Sequence, residues 1–175
     1  KTTAEFLTLN PRAFCFNEQG TGKTAAAIWA SDYLLEESYR ERVLVICPLS
    51  IIKSAWSADL FSFAPHRSVG VAYGAKEKRK QIIEGDYDYI VINYDGINVI
   101  KETIAEGGFD LVIVDEANAY KNCTTARWKL LNKLVTPHTW MWMLTGTPAA
   151  QSPVDAHGLA KLCVPKNVTP SKMRF

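Results

Sequence analysis

Residues 13–24 read AFCFNEQGTGKT, and the order of residue types in that stretch decides the fold. Ala13–Phe16 is a short apolar run with the composition of a buried strand, and Lys23–Glu37 has that of a helix. Between them lies a glycine-rich turn. Strand, glycine-rich loop and a helix opening on Lys-Thr make the setting in which a backbone wraps a phosphate. Gly20 and Gly22 let peptide N–H groups turn toward phosphate oxygens without a side chain in the way. The amino end of the helix adds positive potential. Lys23 supplies a point charge for the β- and γ-phosphates, and Thr24 a hydroxyl for magnesium. The expected nucleotide-binding set is Glu18, Gln19, Gly20, Thr21, Gly22, Lys23 and Thr24. The pattern G-x-x-x-x-G-K-[ST] is met with one departure, Asn17 at its first glycine position.

Two further stretches work outward from this one. Leu111–Ala117 reads LVIVDEA, an apolar strand that ends in two acids. Asp115 is placed to hold magnesium, directly or through water, and Glu116 to orient and deprotonate an attacking water. Adjacent carboxylates at a strand end can also serve a helix-capping turn, but a phosphate loop in the same chain favours catalysis, with Lys23, Asp115 and Glu116 as the catalytic set. Leu144–Pro148 reads LTGTP and directly follows the apolar run Trp140–Leu144. Taken alone it is a Thr/Gly/Pro turn.

Strand-like runs at Ala13–Phe16, Val43–Cys47, Val69–Ala72, Tyr89–Ile92, Leu111–Val114 and Trp140–Leu144 alternate with helical patterns. The helical patterns fall at Lys23–Glu37, Ile51–Phe61, Lys76–Glu84, Ile97–Ala105, Ala126–Leu134 and Val154–Leu162. Most of the strand runs are continuously apolar, as for strands covered on both faces. This predicts an α/β domain with a mostly parallel central sheet and helices on both faces. Ligands of such sheets bind at the carboxyl ends of the strands, where all three motifs fall.

Composition sets the bounds. The 175 residues suit one domain, the hydrophobic fraction of 47% fills a core, and a charged fraction of 22% is ordinary for a globular chain. No apolar run approaches the about 20 residues that span a bilayer, so no membrane partner is expected. The start on Lys1 suggests a piece cut from a longer protein. A net charge of +2 means that any nucleic-acid contact is local. The basic stretch Lys76, Lys78, Arg79 and Lys80 reads as a solvated helix face. Cys15, Cys47, Cys123 and Cys163 match no metal template and read as small hydrophobes in a reducing compartment, and His66, His138 and His157 lie too far apart to bind metal together. Residues 1–163 read as the domain, and 164–175, with Pro165 and Pro170, as a linker or arm.

Five elements in order resemble the first RecA-like domain of superfamily-two helicases, in particular the Swi/Snf-type DNA translocases and their small bacterial and viral versions. NEQGTGKT resembles that family's DEMGLGKT. VLVICPLSIIKSAWSADL resembles its next segment, in which a strand leads to Pro48 and Ser50 and then to a helix bearing Trp56. IVINYDGI resembles the strand and loop ending in Tyr94 and Asp95. VDEANAYKN resembles DEAH followed by a Lys-Asn pair, here Lys121 and Asn122, and MLTGTP resembles the LTGTP element.

The resemblance implies a RecA-like P-loop domain, with ATP and magnesium bound between it and a second RecA-like domain of the same protein. That second domain would supply arginine fingers to the γ-phosphate. It implies sequence-independent, salt-sensitive contacts to duplex DNA phosphates. Those contacts map to Pro48, Leu49, Ser50 and Lys53, to Asn93, Tyr94 and Asp95, and to Thr145, Gly146 and Thr147. Trp56 is expected to pack its helix on the sheet rather than stack on a base. Asn118 stands where the family has the His of DEAH, a position that couples hydrolysis to LTGTP; an amide can donate and accept but cannot become cationic. The expected setting is the cytoplasm of a bacterium or of a phage-infected host. An RNA or single-stranded DNA helicase of the same fold, and a non-catalytic nucleotide-sensing module, remain open at this level.

Overall fold

Strands of this chain are buried almost throughout where they lie inside the sheet and alternate in burial where they lie at its edges. The computed structural model describes residues 2–16, 22–146 and 153–165. Its strands are β1 (Arg12–Phe16), β2 (Val43–Cys47), β3 (Val69–Ala72), β4 (Tyr89–Asn93), β5 (Leu111–Val114) and β6 (Trp140–Thr145). They form one sheet in the order β1-β6-β5-β2-β4-β3. Every neighbouring pair is parallel, so the expectation of a mostly parallel sheet understates the order. In β2, β4 and β5 every residue is buried, whereas the edge strand β3 alternates half-buried and buried.

Side chains leave the sheet with a period of two and feed two cores. One face carries Val43, Val45, Cys47, Ile113 and Trp142 against α1 (Thr2–Leu9), α2 (Lys23–Glu36) and α3 (Ser57–Phe63). The other carries Leu44, Ile46, Val112, Val114 and Met143. It packs against α4 (Lys76–Glu84), α5 (Tyr94–Val99), α6 (Lys101–Ala105), α7 (Ala126–Leu134) and α8 (Pro153–Cys163). Burying one such aliphatic side chain stabilises the fold by about 1.5–3 kcal/mol.

The chain runs outward from β1 through β2 to the edge strand β3, then returns through β4, β5 and β6. β6 therefore slots between β1 and β5, and its carboxyl end lies between that of β1 and the acids after β5.

Two helices depart from expectation. The single helix expected over Ile51–Phe61 is a 3-10 turn at Leu49–Ile51, a π turn at Ile52–Trp56, and then α3. In the π turn the Ser57 hydroxyl donates to the Ile52 carbonyl at 3.0 Å. Ile52, Trp56 and Leu60 recur every fourth residue and all are buried, so packing sets the winding. The helix expected over Ile97–Ala105 starts earlier, at Tyr94, and breaks at Ile100. The break keeps Ile97, Ile100 and Ile104 together in the core.

A concavity of about 810 Å³ lies at the amino-end side of the sheet, lined by Trp29, Tyr33, Tyr39, Arg40 and Trp140 among others. No helix among the described residues is long and apolar enough to cross a membrane.

Candidate nucleotide and metal site

Gly22 opens α2 with φ 76°, a left-handed conformation that glycine adopts without strain. The first bond of the helix follows at once, Ala26 N–H donating to the Gly22 carbonyl at 2.9 Å. Lys23 and Thr24 fill the first turn and are half-buried. The Cys15 thiol in β1 is pushed up by burial, and the Lys23 charge pulls the other way. Asn17, Glu18, Gln19, Gly20 and Thr21 lie outside the described residues, as does Thr147.

The acid pair is held more tightly than its sequence suggests. The Asp115 N–H donates to the Ile46 carbonyl at 2.8 Å, which ties the residue to the end of β2. Its carboxylate is buried, with both oxygens engaged. Oδ1 accepts from the Glu116 N–H at 2.9 Å, and Oδ2 accepts from the Trp56 indole N–H at 2.8 Å. Glu116 is one of two non-glycine residues with positive φ among those described, at φ 50° and ψ 55°. The Tyr94 hydroxyl donates to the carbonyls of both Asp115 and Glu116. The Ala119 N–H also donates to the Glu116 carbonyl, at 3.1 Å, and closes the 3-10 turn Ala117–Tyr120.

Burial and then the charge of Asp115 push the Tyr94 phenol well above its ordinary range, so it stays a donor. The same two causes push the Cys47 thiol up to about 12. Asp59 on α3 is raised by desolvation and by Asp115. Asp115 is thus the charge that its surroundings register.

Thr24 and Asp115 fit a magnesium ion. Both offer hard oxygens, and a carboxylate with one protein donor on each oxygen keeps a further lone pair on each.

The loops predicted to face nucleic acid leave the same ends of the strands. Leu49, Ser50 and Lys53 are exposed and Pro48 is half-buried, with Lys53 Nζ 4.4 Å over the Tyr73 ring. Asp95 is exposed and pairs with Arg127 of α7 at 3.1 Å, while the Arg127 guanidinium lies 4.9 Å over the Tyr94 ring. Gly146 is half-buried.

Asn93 and Thr145 differ from the expectation that they face outward. Each is the last residue of its strand and is buried under the sheet's cover. Asn93 Oδ1 accepts from Arg79 at 2.9 Å, and Arg79 also donates to the carbonyls of Ala72 and Gly74. Arg79 is thus a structural clasp inside a helix that otherwise reads as a solvated face. Asn118 is half-buried in the turn after the acids, where its carbonyl accepts from the Lys121 N–H.

Sequence reasoning missed Arg79, Arg127 and the bonds of Trp56 and Tyr94 to the acid pair. Nothing in their local spacing encodes these contacts, because each joins residues far apart in the chain.

With this geometry in place, the comparisons decide the family. A model of the SNF2-related domain matches residues 12–173. The chain belongs to this family. An ATP-dependent helicase of Saccharomyces cerevisiae, FUN30, is 26% identical over 168 residues, which are 91% of this chain and 15% of that protein. An ATP-dependent helicase of Mycoplasma pneumoniae is 27% identical over 141 residues, 79% of this chain and 13% of that one. Among solved structures, the SWI2/SNF2 ATPase core of Sulfolobus solfataricus in complex with double-stranded DNA superposes with a TM-score of 0.82 at 26% identity. That match covers 94% of this chain and 35% of the other. The SNF2-related domain described here therefore has the RecA-like fold of that core, and it spans a small part of the relatives' length. Yeast proteins dominate the relatives, and the comparisons give a phage source no support.

Proposed function

We propose that this SNF2-related domain is the first of two RecA-like domains of a Swi/Snf-type ATPase that moves along duplex DNA. The observation that carries the reading is the meeting of three strand ends. The phosphate-loop residues Gly22–Thr24 follow β1, Thr145–Gly146 end β6, and Asp115–Glu116 follow β5, with β6 between the other two.

On this reading Lys23 and the amino end of α2 hold the phosphates of ATP. Thr24 and Asp115 would hold magnesium, which supplies charge neutralisation at the β- and γ-phosphates when bound. Glu116 orients the attacking water and takes its proton. The second RecA-like domain, with residues 164–175 leading toward it, closes on the γ-phosphate. Pro48–Ser50, Lys53, Tyr94, Asp95 and Gly146–Thr147 line the DNA side, and phosphate contacts there make binding sequence-independent and salt-sensitive. The DNA complex of the archaeal core supports this partner. An intracellular setting, bacterial on the original resemblance, goes with the reading.

The test is the ATPase rate of the complete protein with no nucleic acid, duplex DNA, single-stranded DNA or RNA, at two salt concentrations. Strong, salt-sensitive stimulation by duplex DNA is expected, and Lys23→Ala abolishes it. Stimulation by RNA or single strands alone moves the reading to a helicase. No turnover under any condition leaves a nucleotide-sensing module.

A further inference from the structure

The acid pair is gripped from both faces of the sheet by residues of the two segments that lead to the proposed DNA loops. Trp56 lies in the π turn directly after Leu49–Ile51, fully buried in the core on the α1–α3 side. Its indole N–H reaches Asp115 Oδ2 at 2.8 Å. Tyr94 opens α5 at the end of β4, on the opposite side of the sheet. Its hydroxyl reaches the carbonyls of Asp115 and Glu116, and its ring rests edge-on against Tyr120, centroids 5.6 Å apart. One residue fixes a side chain and the other fixes a backbone. Without the indole N–H, the Asp115 carboxylate keeps one protein donor and is free to turn about χ2. Without the phenol, the left-handed turn at Glu116 loses the group that bridges both of its carbonyls.

We propose that Trp56 and Tyr94 are positioning residues for the acid pair. Trp56 sets the Asp115 carboxylate toward magnesium, Tyr94 sets the Glu116 turn, and DNA seated on Pro48–Ser50, Lys53, Tyr94 and Asp95 acts on hydrolysis through these two side chains. The proposal rests on the ATPase reading above. It assigns a chemical task to a tryptophan that periodicity reads as packing and to a tyrosine that sequence assigns to DNA.

The test uses the complete protein and two variants, Trp56→Phe and Tyr94→Phe, each of which keeps an aromatic ring and removes a donor. Binding of a fluorescent ADP analogue is titrated with magnesium and with EDTA. The wild type gains affinity with magnesium; Trp56→Phe keeps the EDTA affinity and loses most of the gain, about tenfold. Under steady-state turnover on duplex DNA, Tyr94→Phe lowers kcat by about tenfold and leaves the KM for ATP near that of wild type. In both variants the ratio of stimulated to basal rate falls, while the melting temperature stays within a few degrees of wild type. An unchanged magnesium gain in Trp56→Phe, an unchanged stimulated kcat in Tyr94→Phe, or losses that merely track a fall in folded protein overturn the proposal. The magnesium gain is read on binding alone. It therefore judges Trp56 even where wild-type protein turns over no ATP under any condition, the separate outcome that sinks the ATPase reading.

Discussion

At the scale of single residues, Glu116 carries the sharpest conflict between local preference and function. A non-glycine residue in the left-handed region costs on the order of 1–3 kcal/mol, and Glu116 is held there, at φ 50°, by Tyr94 and Ala119. Strain at a carboxylate proposed as the base is the pattern expected where chemistry overrides propensity. Glu116→Gly separates the two demands. Glycine occupies the turn without strain, less its own entropy cost of about 0.5–1 kcal/mol. The melting temperature is therefore expected to stay level or rise while ATP hydrolysis falls to background. A melting temperature lowered by many degrees would show that the Glu116 side chain, rather than its backbone, supports the fold. Asn118 is the opposite case. An amide in place of an imidazole keeps donor and acceptor and loses only the cationic state. Hydrolysis is therefore expected to survive, with its coupling to movement the affected property.

At the scale of elements, α8 is seated against the segment that follows the acids. A Cβ on Gly158 would run into the Lys121 carbonyl, and the Gly158 carbonyl accepts from the Trp128 indole at 2.8 Å. The Lys121–Asp155 pair at 3.8 Å joins the same two elements. Alanine at a helical glycine ordinarily gains about 1 kcal/mol, but here the clash is with backbone and costs about 1–3 kcal/mol. Gly158→Ala is therefore expected to lower the urea midpoint despite its better propensity. A raised midpoint would mean that α8 can lift from residues 117–122 at little cost. Strands were legible almost to the residue, because a continuous apolar run of four or five residues between turn signals admits few alternatives. The segment after β2 was not. A π turn has no sequence period of its own, and only the demand to bury Ile52, Trp56 and Leu60 together winds it.

At the scale of the whole molecule, the two cores divide the thiols. Cys15, Cys47 and Cys163 are buried and pushed up by desolvation, Cys163 to about 11, whereas Cys123 is half-buried. A thiolate is the reactive form. At pH 8 a disulfide reagent is therefore expected to modify Cys123 quickly and the other three at the rate of unfolding. Rapid reaction of all four would contradict the packing of both layers.

The amino-acid sequence by itself determined the strand–helix alternation, the phosphate loop and the acid pair. Each is a local pattern whose physics is complete within a few residues: apolar runs, glycine conformations, a lysine at a helix start. It also carried the resemblance to Swi/Snf-type proteins on five ordered motifs. Only the tertiary structure decided that β6 lies between β1 and β5 and that Arg79 clasps Asn93. The same is true of Arg127 on Asp95 and of Trp56 and Tyr94 on the acids. Those contacts join residues from 14 to 59 positions apart. No local propensity specifies them, and they form because a parallel sheet gathers the ends of distant strands at one edge.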